Sequence, residues 1–171
     1  LPDLYFSGGV TGNRMYLNRG DLSCEDITRE AGVGAEGIWS TGINIVDLTL
    51  DGWPDIYVSA SNRSQPEERR NKLFIHEGLN EQGIPVFSEK AGEYGIDDEG
   101  YSTHGLFFDY DRDNDLDLYV LTNVLDIPDP NTYRPRTIDG TATNNDRLYR
   151  NEGNGRFTEV TEEAGILYEG Y

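Results

Sequence analysis

The stretch Asp109-Tyr-Asp-Arg-Asp-Asn-Asp-Leu-Asp117 decides the fold, because it places five carboxylates on alternate residues between two apolar runs. The apolar runs are Leu106-Phe-Phe108 and Leu118-Tyr-Val-Leu121. Carboxylates crowded in this way repel one another strongly unless a cation cancels their charge. Ca²⁺ takes six to eight oxygen ligands at about 2.3–2.6 Å, so a bound calcium ion is the simplest explanation of the pattern.

The same spacing occurs earlier as Asp47-Leu-Thr-Leu-Asp-Gly-Trp-Pro-Asp55, again between apolar runs. We refer to residues 47–55 as the first acidic loop and to residues 109–117 as the second acidic loop. The spacing predicts that the side chains at positions one, three, five and nine, with the backbone carbonyl at position seven, bind calcium. The candidate ligands are Asp47, Thr49, Asp51, Trp53 and Asp55 in the first loop, and Asp109, Asp111, Asp113, Asp115 and Asp117 in the second. Because Thr49 replaces a charged side chain, we expect the first loop to bind more weakly.

Position six of each loop also fits a chain that turns sharply around an ion. Gly52 and Asn114 hold this position, and these residue types tolerate a positive φ best. An EF-hand is excluded, since its twelfth position needs a glutamate and both loops have valine there, Val58 and Val120. Mg²⁺ is disfavoured because it keeps more of its water. The alternative without metal is an acidic turn whose aspartates accept hydrogen bonds from local amides.

Internal repeats predict the architecture. Asp3-Leu-Tyr-Phe6, Asp55-Ile-Tyr-Val58 and Asp117-Leu-Tyr-Val120 are equivalent, and each is followed by further matching segments. The segments are short, rich in β-branched and aromatic residues, and bounded by Gly, Asn or Asp, which is typical of strands. Units of four strands that repeat in this way are typical of β-propeller blades. We therefore predict an all-β protein that forms part of a propeller ring of four-stranded antiparallel blades. A self-contained β-solenoid or β-sandwich remains the alternative.

Counting the segments divides the chain into two to three blades of one propeller domain. Residues 1–40 would hold strands two to four of a blade, residues 41–100 a full blade, and residues 101–171 another full blade with the start of the next at Tyr171. Closed propellers have four or more blades, so we expect further blades from the same or a larger polypeptide. The insert at residues 123–146 is long for a connection between strands and is a candidate contact surface.

Composition limits the partners. The formal net charge is -18 and the sequence pI is about 4.2, which argues against a nucleic-acid partner because phosphate binding needs clustered Lys and Arg. No apolar run is long enough for a membrane span. The single cysteine, Cys24, excludes an internal disulfide. Since Phe87 and Phe157 hold the equivalent position in the other units, we expect Cys24 to fill the core.

Several phrases together resemble the FG-GAP or VCBS repeats of calcium-binding β-propellers, as in integrin α heads. They include Trp39-Ser-Thr-Gly42, Tyr101-Ser-Thr-His104, the second acidic loop with its flanks, and Arg147-Leu-Tyr-Arg-Asn-Glu-Gly153. The closer resemblance is to bacterial VCBS-repeat proteins that carry an ASPIC/UnbV domain, although no such segment is present here. The resemblance implies a propeller fold, calcium in the loops between first and second strands, and a location outside the cytoplasm.

The sequence therefore predicts a calcium-binding module of an extracellular, cell-surface or periplasmic protein. We expect two structural Ca²⁺ ions, a protein or glycan as partner, and no enzymatic activity. The alternative function is part of a calcium-dependent polysaccharide-active enzyme, such as a lyase. That function needs a cluster of His, Tyr, Lys or Arg in a cleft, and no spacing of this kind is evident.

Overall fold

The structure, a computed structural model, describes residues 1–123 and 135–169. The described residues form three antiparallel sheets in which neighbouring strands are consecutive in the chain. The first sheet has three strands: β1 (Leu4–Phe6), β2 (Arg14–Gly20) and β3 (Ser23–Asp26). The second has four: β4 (Trp39–Val46), β5 (Asp55–Ser61), β6 (Lys72–Leu79) and β7 (Pro85–Glu89). The third also has four: β8 (Ser102–Phe108), β9 (Asp117–Thr122), β10 (Arg147–Asn151) and β11 (Phe157–Glu159).

The predicted fold class, an all-β segment of a propeller, is confirmed by these sheets. The repeated segments of the sequence form equivalent strands, and the first sheet contains the counterparts of strands two to four of the others. Part of the predicted contact insert at residues 123–146, residues 124–134, lies outside the described residues, as does Tyr171. Within the described part of the chain, no helix is long and apolar enough to cross a membrane.

The sheets pack face to face through two apolar clusters. Met15, Ile27, Val58 and Phe87 belong to the cluster between the first and second sheets. Tyr57, Leu73, Leu118 and Phe157 belong to the cluster between the second and third sheets. All seven residues of β5 are buried, whereas β9 alternates, because among the described residues the second sheet has a neighbour on both faces and the third has one.

A short hydrogen-bonded turn follows the last strand of each repeat, and in the first two repeats it is one turn of α-helix. The helices α1 (Thr28–Ala31) and α2 (Ala91–Tyr94) each end at a glycine with positive φ, 77° at Gly32 and 76° at Gly95. A Cβ atom on either glycine would lie 3.3 Å from a backbone oxygen of the next sheet, that of Phe87 or of Phe157. The third repeat has a hydrogen-bonded turn at residues 161–165 that ends at Gly165, with φ 72°.

Tyrosine hydroxyls join the strands to the loops of their own repeat. The side-chain amide of Asn71 donates to the hydroxyl of Tyr57 at 2.9 Å, and this hydroxyl donates to Ile96 O at 3.1 Å. Asn13, Tyr5 and Val33 repeat the arrangement in the first sheet, at 2.8 and 2.7 Å. The third repeat has Asp146 in place of asparagine, so the hydroxyl of Tyr119 donates to the carboxylate, at 2.9 Å.

The prediction that Cys24 fills the core is wrong, because its side chain is exposed. Cys24 pairs with Asn18 as Phe87 pairs with His76, so the register is equivalent. Phe87 faces the first sheet and Phe157 faces the second, where each is buried. The corresponding face of the first sheet has no neighbouring sheet among the described residues, which leaves Cys24 in solvent.

Candidate metal centre

Both acidic loops connect a first strand to a second strand and therefore lie at the same end of their sheets. The first acidic loop joins β4 to β5, and the second joins β8 to β9. The strands β4, β5 and β8, which flank the loops, pack against one another between the second and third sheets. The ends of the loops are therefore anchored on packed strands. This position favours a fixed ligand geometry.

The second acidic loop brings three carboxylates together. One oxygen from each of Asp109, Asp111 and Asp117 lies within 4.8 Å of the other two. Two oxygens on opposite sides of a calcium ion are about 4.6–5.2 Å apart, since each lies about 2.3–2.6 Å from the metal. Asp109 and Asp111 are exposed and Asp117 is buried, so the group opens toward solvent on one side.

Backbone amides orient the carboxylate at position one of each loop. Asp109 accepts hydrogen bonds from the amides of Arg112 at 2.6 Å and Asn114 at 3.3 Å. Asp47 accepts from Asp51 at 3.1 Å and Gly52 at 3.0 Å. Because each carboxylate oxygen has two lone pairs, an oxygen that accepts one amide proton can still bind a cation.

The carboxylate at position five is turned toward its own loop. Asp113 accepts from the amide of Asp115 at 3.0 Å, and Asp51 accepts from the amide of Trp53 at 2.8 Å. Asp113 is therefore not part of the convergent group of three, although the spacing predicts it as a ligand. Its second oxygen remains available to a cation.

The aspartate at position nine is held by the sheet. Asp117 accepts from the amides of Tyr110 and Asn151, both at 2.9 Å. Asp55 accepts from the amides of Leu48 at 3.0 Å and His76 at 2.9 Å. The amide at position two and an amide of the third strand thus bind the two oxygens of the same side chain in both loops.

The backbone turns sharply at two positions of each loop. Gly52 has φ 89° and Asn114 has φ 76°, as the sequence predicts for position six. Position four also has a positive φ, 57° at Leu50 and 68° at Arg112. Leucine and arginine carry no preference for this conformation, so sequence reasoning missed it.

The first acidic loop shares most of the amide contacts of the second but has fewer convergent charges. Thr49 replaces the aspartate at position three, and within residues 1–123 and 135–169 only the second loop brings three acidic or histidine ligands this close. Trp53 at position seven stacks on His76, with ring centroids 4.7 Å apart and planes 8° apart. Sequence reasoning missed this stack, because nothing in the spacing links residue 53 to residue 76.

Desolvation, together with charge crowding, raises the pKa of two carboxylates in the second loop. Desolvation, with the neighbouring carboxylates of Asp113 and Asp117, raises the pKa of Asp115 to about 6. Desolvation and the charge of Asp113 also raise the pKa of Asp111. One oxygen of Asp115 is shielded from solvent and has no hydrogen-bond partner among the residues that the structure describes. A set of hard oxygen donors with excess negative charge fits Ca²⁺, with Asp109, Asp111 and Asp117 as the side chains placed to hold it. The carbonyls of Trp53 and Asp115 stay predicted ligands.

A third copy of position nine lies at the start of the chain. The amide of Asn18 donates to Asp3 Oδ1 at 2.8 Å, as His76 does to Asp55 and Asn151 does to Asp117. The equivalence of Asp3-Leu-Tyr-Phe6 with the later repeats is the sequence signal for this contact. Asp3 therefore belongs to the same structural series as the two loop aspartates.

The fold and the repeated loops define a β-propeller type of repeat protein. A family model described as an FG-GAP-like repeat matches residues 1–58, so this part of the chain is similar to FG-GAP repeats. The matched segment contains the first sheet, β4, the first acidic loop and the start of β5. A search of curated proteins finds no significant match.

Proposed function

We propose that this chain is a calcium-binding FG-GAP/VCBS module in which Ca²⁺ has a structural role. The observation that carries the proposal is the convergence of Asp109, Asp111 and Asp117 at the bend between β8 and β9. Calcium at this bend would cancel the repulsion among the five aspartates and hold the first two strands of the repeat in register. The first acidic loop would take a second, weaker ion.

Titration with calcium tests the proposal directly. We expect millimolar Ca²⁺ to raise the melting temperature by several degrees and EDTA to reverse the shift, because an ion that binds the folded state stabilises it. Isothermal titration calorimetry should give two sites of unequal affinity, and Mg²⁺ at the same concentration should produce a smaller shift.

A matched pair of variants assigns the stronger site. Asp111→Asn removes one charge from the convergent group, and Asp21→Asn removes one charge from an exposed turn between β2 and β3. We expect the first variant to bind calcium at least about tenfold more weakly, with the second unchanged. Equal affinities in the two variants, or no calcium-dependent shift in the unmodified chain, would refute the proposal.

We further propose a binding or scaffold role outside the cytoplasm, with a protein or a glycan as partner and no catalysis. The resemblance to VCBS-repeat proteins and the strongly acidic composition support this role. Fractionation of the native source with an antibody against the chain tests the location. A glycan array read with Ca²⁺ and with EDTA, together with a product assay on bound polysaccharides, separates a binding module from an enzyme. Product formation would exclude the non-enzymatic role.

A further inference from the structure

A polar cleft lies between the second and third repeats, at the end of the sheets opposite the acidic loops. Its walls are the connection from β5 to β6, the connection from β7 to β8, and the strands β10 and β11. The volume is about 790 Å³, within the range of about 300–1,000 Å³ that is typical of ligand sites. Thr143, in the insert predicted as a contact surface, also lines the cleft, whereas none of the proposed calcium ligands does.

A buried carboxylate holds the base of this cleft in a fixed geometry. The side chain of Asp98 is fully buried, and its Oδ1 accepts a hydrogen bond from the amide of Gly100 at 2.6 Å. Its Oδ2 accepts from the hydroxyl of Tyr149 at 2.7 Å and lies 3.1 Å from Nε of Arg147. The guanidinium group of Arg147 is therefore anchored at the wall of the cleft while its side chain stays 37% exposed.

The repeat fold does not itself require this carboxylate. The amide of Asn71 donates to Asp98 O at 3.0 Å, and the matching bond of the first repeat runs from the amide of Asn13 to Gly34 O at 2.6 Å. The first repeat thus forms the same backbone bond with a residue that has no side chain. A role in the cleft accounts for the carboxylate where the shared fold does not.

Charged side chains of both signs line the cleft in contact with one another. Arg70 lies 2.9 Å from Asp97 and also contacts Glu99. Arg147 lies 3.7 Å from Glu159 on the opposite wall. Because carboxylates neutralise both arginines, and because a chain with a net charge of -18 repels anions, the cleft does not suit an acidic ligand. It suits a neutral ligand that is rich in hydrogen-bonding groups.

These ion pairs match the hydroxyl groups of a saccharide. A hydroxyl both donates and accepts, a carboxylate accepts, and a guanidinium group donates, so neighbouring hydroxyls of one sugar ring can bind both members of an ion pair. Tyr101 adds an aromatic surface, and the guanidinium carbon of Arg69 lies 4.3 Å from the centroid of its ring. Arg69 in turn donates to Arg63 O at 2.7 Å and Ser64 O at 3.1 Å, which holds this support in place.

We infer that the cleft between the second and third repeats binds a neutral oligosaccharide. The guanidinium groups of Arg70 and Arg147 donate to sugar hydroxyls, and the carboxylates of Asp97 and Glu159 accept from them. The ring of Tyr101 packs against the C–H face of a sugar. The inference rests on the proposed binding role of the chain and gives that role a site and a class of ligand. It does not depend on the proposed calcium centre, which lies at the other end of the sheets.

Isothermal titration calorimetry of the full chain in millimolar Ca²⁺ tests the inference. The probes are four neutral hexasaccharides, namely maltohexaose, cellohexaose, mannohexaose and xylohexaose, with hexagalacturonate as the acidic counterpart. We expect at least one neutral hexasaccharide to bind at one site per chain with a dissociation constant below about 1 mM. Hexagalacturonate should bind more weakly than that saccharide, because the protein repels it.

Two substitutions on opposite walls place the saccharide in the cleft. Arg70→Gln and Glu159→Gln each remove a charged hydrogen-bonding group, and we expect either change to weaken binding about tenfold. Arg150→Gln is the matched control, since Arg150 forms an ion pair of 2.9 Å with Glu152 outside the cleft, and it should leave the affinity unchanged. The melting temperatures of all three variants should stay close to that of the wild type, because exposed ion pairs contribute little to stability.

The inference is overturned by any of three results: no binding of the four neutral hexasaccharides, tighter binding of hexagalacturonate than of any neutral probe, or unchanged affinity in both cleft variants. Unchanged affinity in these variants would leave a glycan-binding role standing and move its site elsewhere. The calcium proposal is judged separately, from the calcium titration without saccharide, so either proposal can fail alone. Release of a cleaved product from a bound hexasaccharide would contradict only the non-enzymatic role.

Discussion

Asp55 Oδ1 accepts a 2.9 Å hydrogen bond from the backbone amide of His76, which joins the end of the first acidic loop to the third strand of its repeat. Asp117 and Asn151 form the same bond at 2.9 Å, and Asp3 and Asn18 form it at 2.8 Å. The aspartate at position nine is therefore a structural residue as well as a candidate ligand. Substitutions at position nine and at the other loop positions therefore distinguish an effect on stability from an effect on calcium affinity.

Asp55→Ala should destabilise the protein in EDTA. The substitution leaves the amides of Leu48, Thr49 and His76 without their acceptor, and we expect the free energy of unfolding to fall by about 2–4 kcal/mol. Asp51→Ala is the control, since Asp51 is exposed and accepts only from Trp53; its cost should stay below about 1 kcal/mol. Urea denaturation measures both values. Equal costs would show that position nine has no special structural role.

Thr49→Asp should strengthen the first acidic loop. The added carboxylate gives this loop aspartate at positions one, three, five and nine, as in the second loop, so calcium affinity should rise about tenfold. Calorimetry in the Asp111→Asn background isolates the site. Thr49→Asn supplies a matched neutral oxygen ligand, and an equal gain from it would show that charge is not the cause.

The pKa of Asp115, raised to about 6, predicts how stability depends on pH without metal. A carboxyl whose pKa is higher in the folded protein contributes stability below its unfolded pKa of 3.8, and this contribution is lost as pH rises through about 6. Asp115→Asn removes the titration but keeps the backbone carbonyl. In EDTA the variant should equal the wild type near pH 4 and exceed it in stability at pH 7. Calcium should reverse the order at pH 7 if Asp115 contributes charge to the centre. A pH-independent difference between the two proteins in EDTA would contradict the prediction.

Tyr57→Phe should cost more than Tyr119→Phe. The hydroxyl of Tyr57 is buried and joins Asn71 to Ile96, so its loss leaves two buried groups unpaired, at a cost of about 2–3 kcal/mol. Within the described residues the hydroxyl of Tyr119 has one partner, the carboxylate of half-buried Asp146, which water can replace at a cost of about 1 kcal/mol or less. Thermal unfolding in the same buffer compares the two. A larger effect at Tyr119 would contradict this account of the tyrosine hydroxyls.

Much of the fold follows from the sequence, because the repeats show each strand more than once. β4 begins at Trp39 and β9 at Asp117, as the repeated segments predict, and Gly52 and Asn114 have the positive φ expected of position six. Features that depend on the packing of neighbouring sheets were harder to predict from the sequence. Cys24 is exposed because no sheet among the described residues packs against its face of the first sheet. A comparison of equivalent sequence positions does not show which faces are covered.

The candidate site was predicted in outline and completed by the structure. Alternating aspartates indicate a loop that binds a cation, but they do not show which carboxylates turn toward amides. Asp113 and Asp115 have the same residue type and spacing as Asp109 and Asp111, and their environments still differ. The positive φ of Leu50 and Arg112 follows from closing the loop rather than from either side chain.

The glycines that end the turn after the last strand of each repeat differ in how tightly their surroundings restrict a side chain. Gly32 and Gly95 are restricted both by φ and by an oxygen of the adjoining sheet, whereas a Cβ atom on Gly165 meets nothing within 4 Å. Asparagine accepts a positive φ, so it is tolerated wherever only the dihedral angle matters. Gly165→Asn therefore reports whether another blade contacts this glycine. The substitution is harmless where no sheet adjoins Gly165 and becomes disruptive when another blade docks there, so its effect on stability reports the docking of a blade.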